Sequence, residues 1–171
     1  MGWKQTKGHA ALRRGRWSCP GAEYFLTICI SQRQSCLIGE CARKDIFNSM
    51  HALEGQGIWH LRAATLMPDH AHLLIVLNNE TPLSSAVRLF KGRSAPTLRT
   101  CDSRWQRGYF DHRIRGDEDR LPVFLYLFLN PYQAGLIPTH ERWPGFYCSP
   151  EDWSWFEPLT NMARPQPEWL P

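Results

Sequence analysis

Apolar positions along the chain change their period several times, and each change marks an element. Tyr24-Phe25-Leu26-Thr27-Ile28-Cys29-Ile30 is rich in aromatic and β-branched residues, which predicts a strand at 24–30. Ile46, Phe47, Met50 and Leu53 then recur at helical spacing, predicting a helix over about 41–53 that Gly55 and Gly57 terminate. A strand at 58–66, the turn residues Met67-Pro68-Asp69 and an apolar run at 70–77 read as an antiparallel hairpin. Thr81-Pro82 opens a second helix, with Val87 and Phe90 inward and Arg88 and Lys91 outward, and Pro96 is expected to break it. Residues 105–114 read as a fourth strand with an irregularity at Gly108. Asp117-Glu118-Asp119 supplies an acidic first turn for a third helix running to about Asn130, where Pro122 is tolerated because it falls early.

The order strand, helix, strand, strand, helix, strand, helix is that of the ferredoxin-like split βαβ fold. It predicts an α+β domain whose antiparallel four-stranded sheet carries helices on one face. Residues 1–22 form a basic N-terminal arm and 23–137 a domain of catalytic size. Residues 138–171, rich in Pro and carrying Trp143, Trp153, Trp155 and Trp169, read as a C-terminal tail packing on that domain. The basic opening has no apolar core after it and no apolar run approaches a membrane span, so the expectation is a cytoplasmic, nucleoid-associated protein without a membrane partner. Its six cysteines contain no C-x-x-C and are expected to be reduced thiols.

The formal charge is only +4, but it is unevenly placed. Lys4, Lys7, Arg13, Arg14 and Arg16 all precede the first acidic residue, Glu23. Arg88, Lys91, Arg93, Arg99, Arg104, Arg107, Arg113 and Arg115 form a second set, interrupted only by Asp102 and Asp111. A solvated face is the ordinary explanation of such a run. The aromatics Phe90, Trp105, Tyr109 and Phe110 interleave with these charges, however, and that mixture favours a nucleic-acid backbone. Lys91 reads as a DNA-backbone contact.

His70-Ala71-His72 places two imidazoles on one face of the predicted strand, where a single divalent ion could sit between them. Alone this is a weak signal, since seven histidines produce such a spacing readily by composition. Tyr126 and Asn130 are four residues apart in the apolar third helix and therefore share a face one turn apart. A satisfied core tyrosine and a helix-ending asparagine before Pro131 would account for that pair by itself. Taken with the histidines, it makes a specific chemistry available: His70, His72 and Asn130 hold Mg²⁺ or Mn²⁺, and Tyr126 attacks a metal-polarised phosphodiester. His112, beside Asp111 on the fourth strand, is a candidate for catalytic support, although adjacent strand residues face opposite sides.

Three ordered blocks carry a family resemblance. Met67-Pro68-Asp69-His70-Ala71-His72-Leu73-Leu74 resembles the HUH segment of single-tyrosine transposases. Trp105-Gln106-Arg107-Gly108-Tyr109-Phe110-Asp111-His112-Arg113-Ile114-Arg115 and Tyr126-Leu127-Phe128-Leu129-Asn130-Pro131-Tyr132-Gln133-Ala134-Gly135-Leu136 resemble two further blocks of the REP-associated tyrosine transposases. Asp152-Trp153-Ser154-Trp155 is similar to their C-terminal aromatic motif. The resemblance implies a single-stranded DNA endonuclease and strand-transferase acting on palindromic hairpins beside a short guide, through a 5′-phosphotyrosyl intermediate and a free 3′-hydroxyl. It implies His70 and His72 as metal ligands, Tyr126 as nucleophile, Asn130 as a further ligand, and a self-contained monomer, with a site-sharing dimer as the alternative. The competing functions are a non-catalytic hairpin-binding module and another HUH nuclease such as a replication initiator.

Overall fold

A computed structural model describes residues 19, 21–78, 80–116 and 120–156. The basic arm with Arg13, Arg14 and Arg16, the acidic run 117–119 and residues 157–171 lie outside the described residues. Among the described residues five strands and four α-helices follow in the order β1 (Glu23–Cys29), α1 (Glu40–Gly55), β2 (Trp59–Met67), β3 (His70–Leu77), α2 (Leu83–Arg99), β4 (Phe110–Ile114), α3 (Leu121–Gln133), β5 (Phe146–Cys148) and α4 (Pro150–Phe156). The strands form one antiparallel sheet, β4-β1-β3-β2-β5, in which β3 splits β1 from β2. The split βαβ expectation holds.

Three details depart from it. The tail contributes a fifth strand: Phe146–Cys148 pairs with β2 from Ala63 to Thr65, so residues 138–156 extend the domain beyond a boundary at 137. Helices cover both faces of the sheet. Ile46, Met50 and Leu53 of α1 and Ala86, Val87 and Phe90 of α2 bury one face with Leu26, Ile28, Leu73 and Ile75, while Phe124, Leu127 and Phe128 of α3 bury the other with Ala63 and Leu74. Finally, 105–109 is not strand; Trp105 makes only an isolated bridge to Ile30 before β4 begins at Phe110.

Neither internal proline ends its helix. Pro96 lies inside α2, on the exposed face with Gly92, so the carbonyl deprived of its helical donor faces water. Pro131 lies inside α3 and is buried, and its helix continues to Gln133.

In β2 the register shifts between Leu61 and Ala63, leaving Arg62 as the extra residue of a bulge. Trp59 and Leu61 before it, and Ala64 and Leu66 after it, therefore all face the α1/α2 core despite their change of parity. Arg62 itself turns to the α3 side and joins a buried ionic network. It meets Glu23 of β1 at 2.9 Å and grips Asp152 of α4 through Nε at 3.0 Å and through Nη2, while Arg120 before α3 takes the other Glu23 oxygen at 2.7 Å. Ser149 donates to Asp152 at 2.6 Å, and its amide donates to the Arg62 carbonyl at 2.7 Å. Trp153 packs on Phe128 and Phe146. Through Asp152 and Trp153, the aromatic motif is thus a clasp that fastens α4 to the bulge.

Gly145 shows how close this clasp is: a Cβ there would stand 2.7 Å from the Leu66 carbonyl and 2.6 Å from Trp143 Nε1. All six cysteines are free thiols, and burial pushes Cys148 up to about 12, leaving it protonated and inert at neutral pH. Among the described residues no helix is long and apolar enough to cross a membrane.

Removing Arg62 takes the cation from buried Asp152 and leaves Glu23 with Arg120. Arg62→Met is expected to lower stability by about 3–5 kcal/mol, read as the shift in a urea unfolding midpoint. A shift below about 1 kcal/mol, the range of an exposed pair, would show that the network contributes little.

Candidate active site

Strand register assembles the site. Opposite pairs run Phe110, Thr27, His72, Thr65 and Phe146 across all five strands, and directly opposed side chains share a face. This row lies on the face covered by α3, with His72 at its centre and only 3% exposed. His70 opens β3 two residues away on the same face. The two-residue turn that precedes it is held from below: Leu37 donates to the Pro68 carbonyl at 3.0 Å and Ile30 to the Asp69 carbonyl at 2.8 Å.

The two imidazoles meet edge to face, with their Nε2 atoms 3.0 Å apart. Each Nδ1 is engaged from behind. Asp69 Oδ1 lies 2.5 Å from His70 Nδ1, and Arg33 holds the other Asp69 oxygen at 2.6 Å. Thr27 Oγ1 lies 2.9 Å from His72 Nδ1. An ionised carboxylate only accepts, so His70 carries its proton on Nδ1 and presents a bare Nε2. A hydroxyl both donates and accepts, so Thr27 suits either tautomer of His72. With His70 Nε2 bare, a hydrogen bond across the 3.0 Å contact requires His72 Nε2 as donor, and its Nδ1 then accepts from Thr27; the hydroxyl can reverse when both Nε2 lone pairs are required.

Burial dominates the titration of both rings. It holds His70 below its ordinary value against the opposing pull of Asp69, with Arg33 adding to the lowering. It holds His72 well below, helped by His70 and Arg33. Both are neutral at pH 7 and can offer lone pairs.

From above, α3 brings Tyr126 and Asn130 to the same point. The Tyr126 hydroxyl and the Asn130 amide nitrogen each lie 3.4 Å from His72 Nε2, and the tyrosine is 42% exposed. The amide's two ends have the same shape, and its oxygen is the end that ligates a cation. Phe25 underlies the cluster, stacked on His72 at 5.4 Å and edge-on to Tyr126 at 5.7 Å.

Two neutral imidazoles and one amide make a donor set that fits a divalent ion. Among the described residues no group of three His, Cys, Asp or Glu is placed to hold a metal, so such an ion would be held by His70, His72 and Asn130.

The other candidates are placed elsewhere. His112 lies on the α3 face but opposite Phe25, two strands from β3, while Asp111 pairs with Leu26 on the opposite face. Lys91 donates to the carbonyls of Gln106 and Gly108, both at 2.8 Å, and sits over the Tyr109 ring, so it braces the loop before β4. Arg88, Arg104, Arg107, Arg113 and Arg115 are exposed. Arg99 and Arg104 line a polar cavity of about 570 Å³ with Ser31, Gln34 and Ser103, away from the histidines. Local sequence pattern does not single out Thr27, Thr65, Phe25 or Arg33. Thr27 and Phe25 share the first predicted strand, but only the register reveals that they face His72.

A family model described as "Transposase IS200 like" matches residues 18–119, more than half of the chain. The chain belongs to the IS200-like transposase family. The matched span holds His70 and His72 and ends before α3. A REP-associated tyrosine transposase of Haemophilus influenzae is 26% identical over 161 residues, covering 78% of this chain and 88% of its own. The ISDra2 transposase TnpA of Deinococcus radiodurans is 33% identical over 86 residues, 49% of this chain and 59% of its own. Among solved structures, a REP-associated tyrosine transposase bound to a REP hairpin superposes with a TM-score of 0.64 at 21% identity, covering 77% of this chain and 79% of that one. The fold of this IS200-like transposase is therefore shared with it.

The tautomer assignment is directly measurable. Long-range ¹H–¹⁵N spectra of the metal-free protein at neutral pH are expected to show His70 protonated on Nδ1 and His72 on Nε2. Asp69→Leu should return His70 to mixed tautomers; an unchanged His70 signature in that variant would refute the role given to Asp69.

Proposed function

We propose that this transposase is a metal-dependent single-stranded DNA endonuclease and strand-transferase that works through a 5′-phosphotyrosyl intermediate on REP-type hairpins. The observation that carries this reading is the convergence of Tyr126, Asn130 and His70 on one atom, His72 Nε2. The likeness to REP-associated relatives, one of them solved with a REP hairpin, supports the hairpin as substrate.

When bound, Mg²⁺ or Mn²⁺ held by His70, His72 and Asn130 would supply Lewis-acid polarisation of a non-bridging phosphate oxygen. Tyr126 supplies the nucleophile. Its oxygen forms a bond to phosphorus as the bond to the 3′-oxygen breaks, leaving a 5′-phosphotyrosine and a 3′-hydroxyl. The phenolic proton passes to water, which reaches the exposed side chain, and the departing oxygen takes one up. Attack of a 3′-hydroxyl on the phosphotyrosine reverses the sequence and reseals or transfers the strand. Phe25 stacks on His72 and meets Tyr126 edge-on, which fixes both rings before the strand arrives.

The exposed Arg88, Arg104, Arg107, Arg113 and Arg115, with Arg13, Arg14 and Arg16 of the arm, supply phosphate contacts. Replacing any one of these arginines by alanine should reduce the salt dependence of binding by about one counterion. The convergence of all four groups within one chain supports a self-contained monomer over a site-sharing dimer.

Tyr126→Phe is expected to abolish the covalent protein–DNA band formed with single-stranded palindromes in Mg²⁺ or Mn²⁺, with hairpin affinity retained. Cleavage by that variant would remove Tyr126 as nucleophile; binding by the wild type with no adduct in any metal would favour a hairpin-binding module. His70→Ala should slow cleavage by about 10²–10³-fold at fixed metal, and full activity across a metal titration would count against the ligand assignment.

A further inference from the structure

Pro131 leaves a specific atom of α3 without its helical partner. In an α-helix the amide of residue i donates to the carbonyl of residue i−4, and proline has no amide hydrogen. The deprived acceptor is the carbonyl of Leu127, a residue that is fully buried. The Thr65 hydroxyl donates to it at 2.5 Å. Thr65 is itself fully buried and stands directly opposite His72 in the sheet.

Leu127 follows Tyr126 in sequence, and Asn130 precedes Pro131. The hydrogen bond therefore joins the turn of α3 that bears both reacting-site residues to the strand beside His72. Apolar packing of Phe124, Leu127 and Phe128 holds α3 on the sheet but does not select its axial position to a fraction of an ångström. A directional bond to one carbonyl does. Tyr126 and Asn130 both stand at 3.4 Å from His72 Nε2, a distance at which a small slide of the helix decides whether they engage.

We propose that Thr65, paired with the carbonyl that Pro131 frees, is a positioning residue that sets the reach of Tyr126 and Asn130 to the histidine centre. Its role rests on the phosphotyrosine reading above. Thr65 touches no substrate; it acts through the helix.

Thr65→Val keeps the shape and removes the donor. It is expected to slow single-turnover cleavage of a palindromic single-stranded oligonucleotide by about 10–100-fold, with hairpin Kd changed less than about twofold, and Thr65→Ser should restore the rate. Because Thr65→Val strands a buried carbonyl, it should also lower the urea midpoint. The double variant Thr65→Val/Pro131→Ala separates the two effects, since residue 131 then regains an amide hydrogen for the Leu127 carbonyl. Measured against Pro131→Ala alone, the double variant should have a recovered midpoint and a cleavage rate that stays low. A rate that recovers together with the midpoint would show that Thr65 serves stability only, and wild-type cleavage by Thr65→Val would overturn the proposal. The Tyr126→Phe control keeps the two readings apart: residual cleavage there refutes the nucleophile, whereas loss of cleavage there with full activity in Thr65→Val refutes only the positioning role.

Discussion

One extra residue in β2, Arg62, decides which side chains of that strand reach the α3 face. Before it, odd-numbered positions face the α1/α2 core; after it, even-numbered ones do. Without the bulge, Thr65 would point into the apolar core, where its hydroxyl would lack a partner, and the row with Thr27 and His72 would not exist. The same residue sends a guanidinium into the opposite layer, where Glu23, Asp152 and Arg120 gather around it. Register and ionic network are thus two consequences of one insertion. The network in turn fixes α4 and the start of α3, so the site and the clasp rest on a shared piece of backbone.

The electrostatic design of the histidine pair turns on competition between burial and a carboxylate. Asp69 alone would favour a charged His70, and a charged His70 is a poor metal ligand. Burial outweighs it. Arg33 contributes by occupying the second Asp69 oxygen, which leaves the carboxylate able to orient the ring without protonating it. That arrangement has a conformational cost: Gln32 and Arg33 hold φ angles of 56° and 55°, in the left-handed region that non-glycine residues adopt at about 1 kcal/mol or more each. His72 has no such carboxylate. Its partner is the adaptable hydroxyl of Thr27, so one imidazole has a fixed tautomer and the other an adjustable one.

Much of this is legible in the sequence because it depends on short periods. The H-x-H spacing and the four-residue interval from Tyr126 to Asn130 each specify a face, and the structure brings those two faces together. Cross-strand register is a long-range property and is not legible: nothing local tells Thr27 and Thr65 that they flank His72. The phase change at Arg62 reads in sequence as broken alternation, which is also what a strand end looks like. β5 is hidden for another reason, being three residues long in a stretch dominated by Pro and Trp.

The two prolines show why a correct local rule gives the wrong helix ends. Proline inside a helix costs a hydrogen bond and leaves a carbonyl without its donor, and the outcome depends on what that carbonyl then meets. In α2 the affected turn faces solvent, so water completes it and the helix continues. In α3 the turn is buried, and continuation requires a protein donor at the right height on the sheet. Thr65 is that donor, and the bulge put it there. Local sequence at 131 shows only the proline, whereas the compensation comes from Thr65, on a different element far earlier in the chain. The same displacement makes the solution informative: the donor given to the freed carbonyl meets α3 between Tyr126 and Asn130, the two residues that the helix brings to His72.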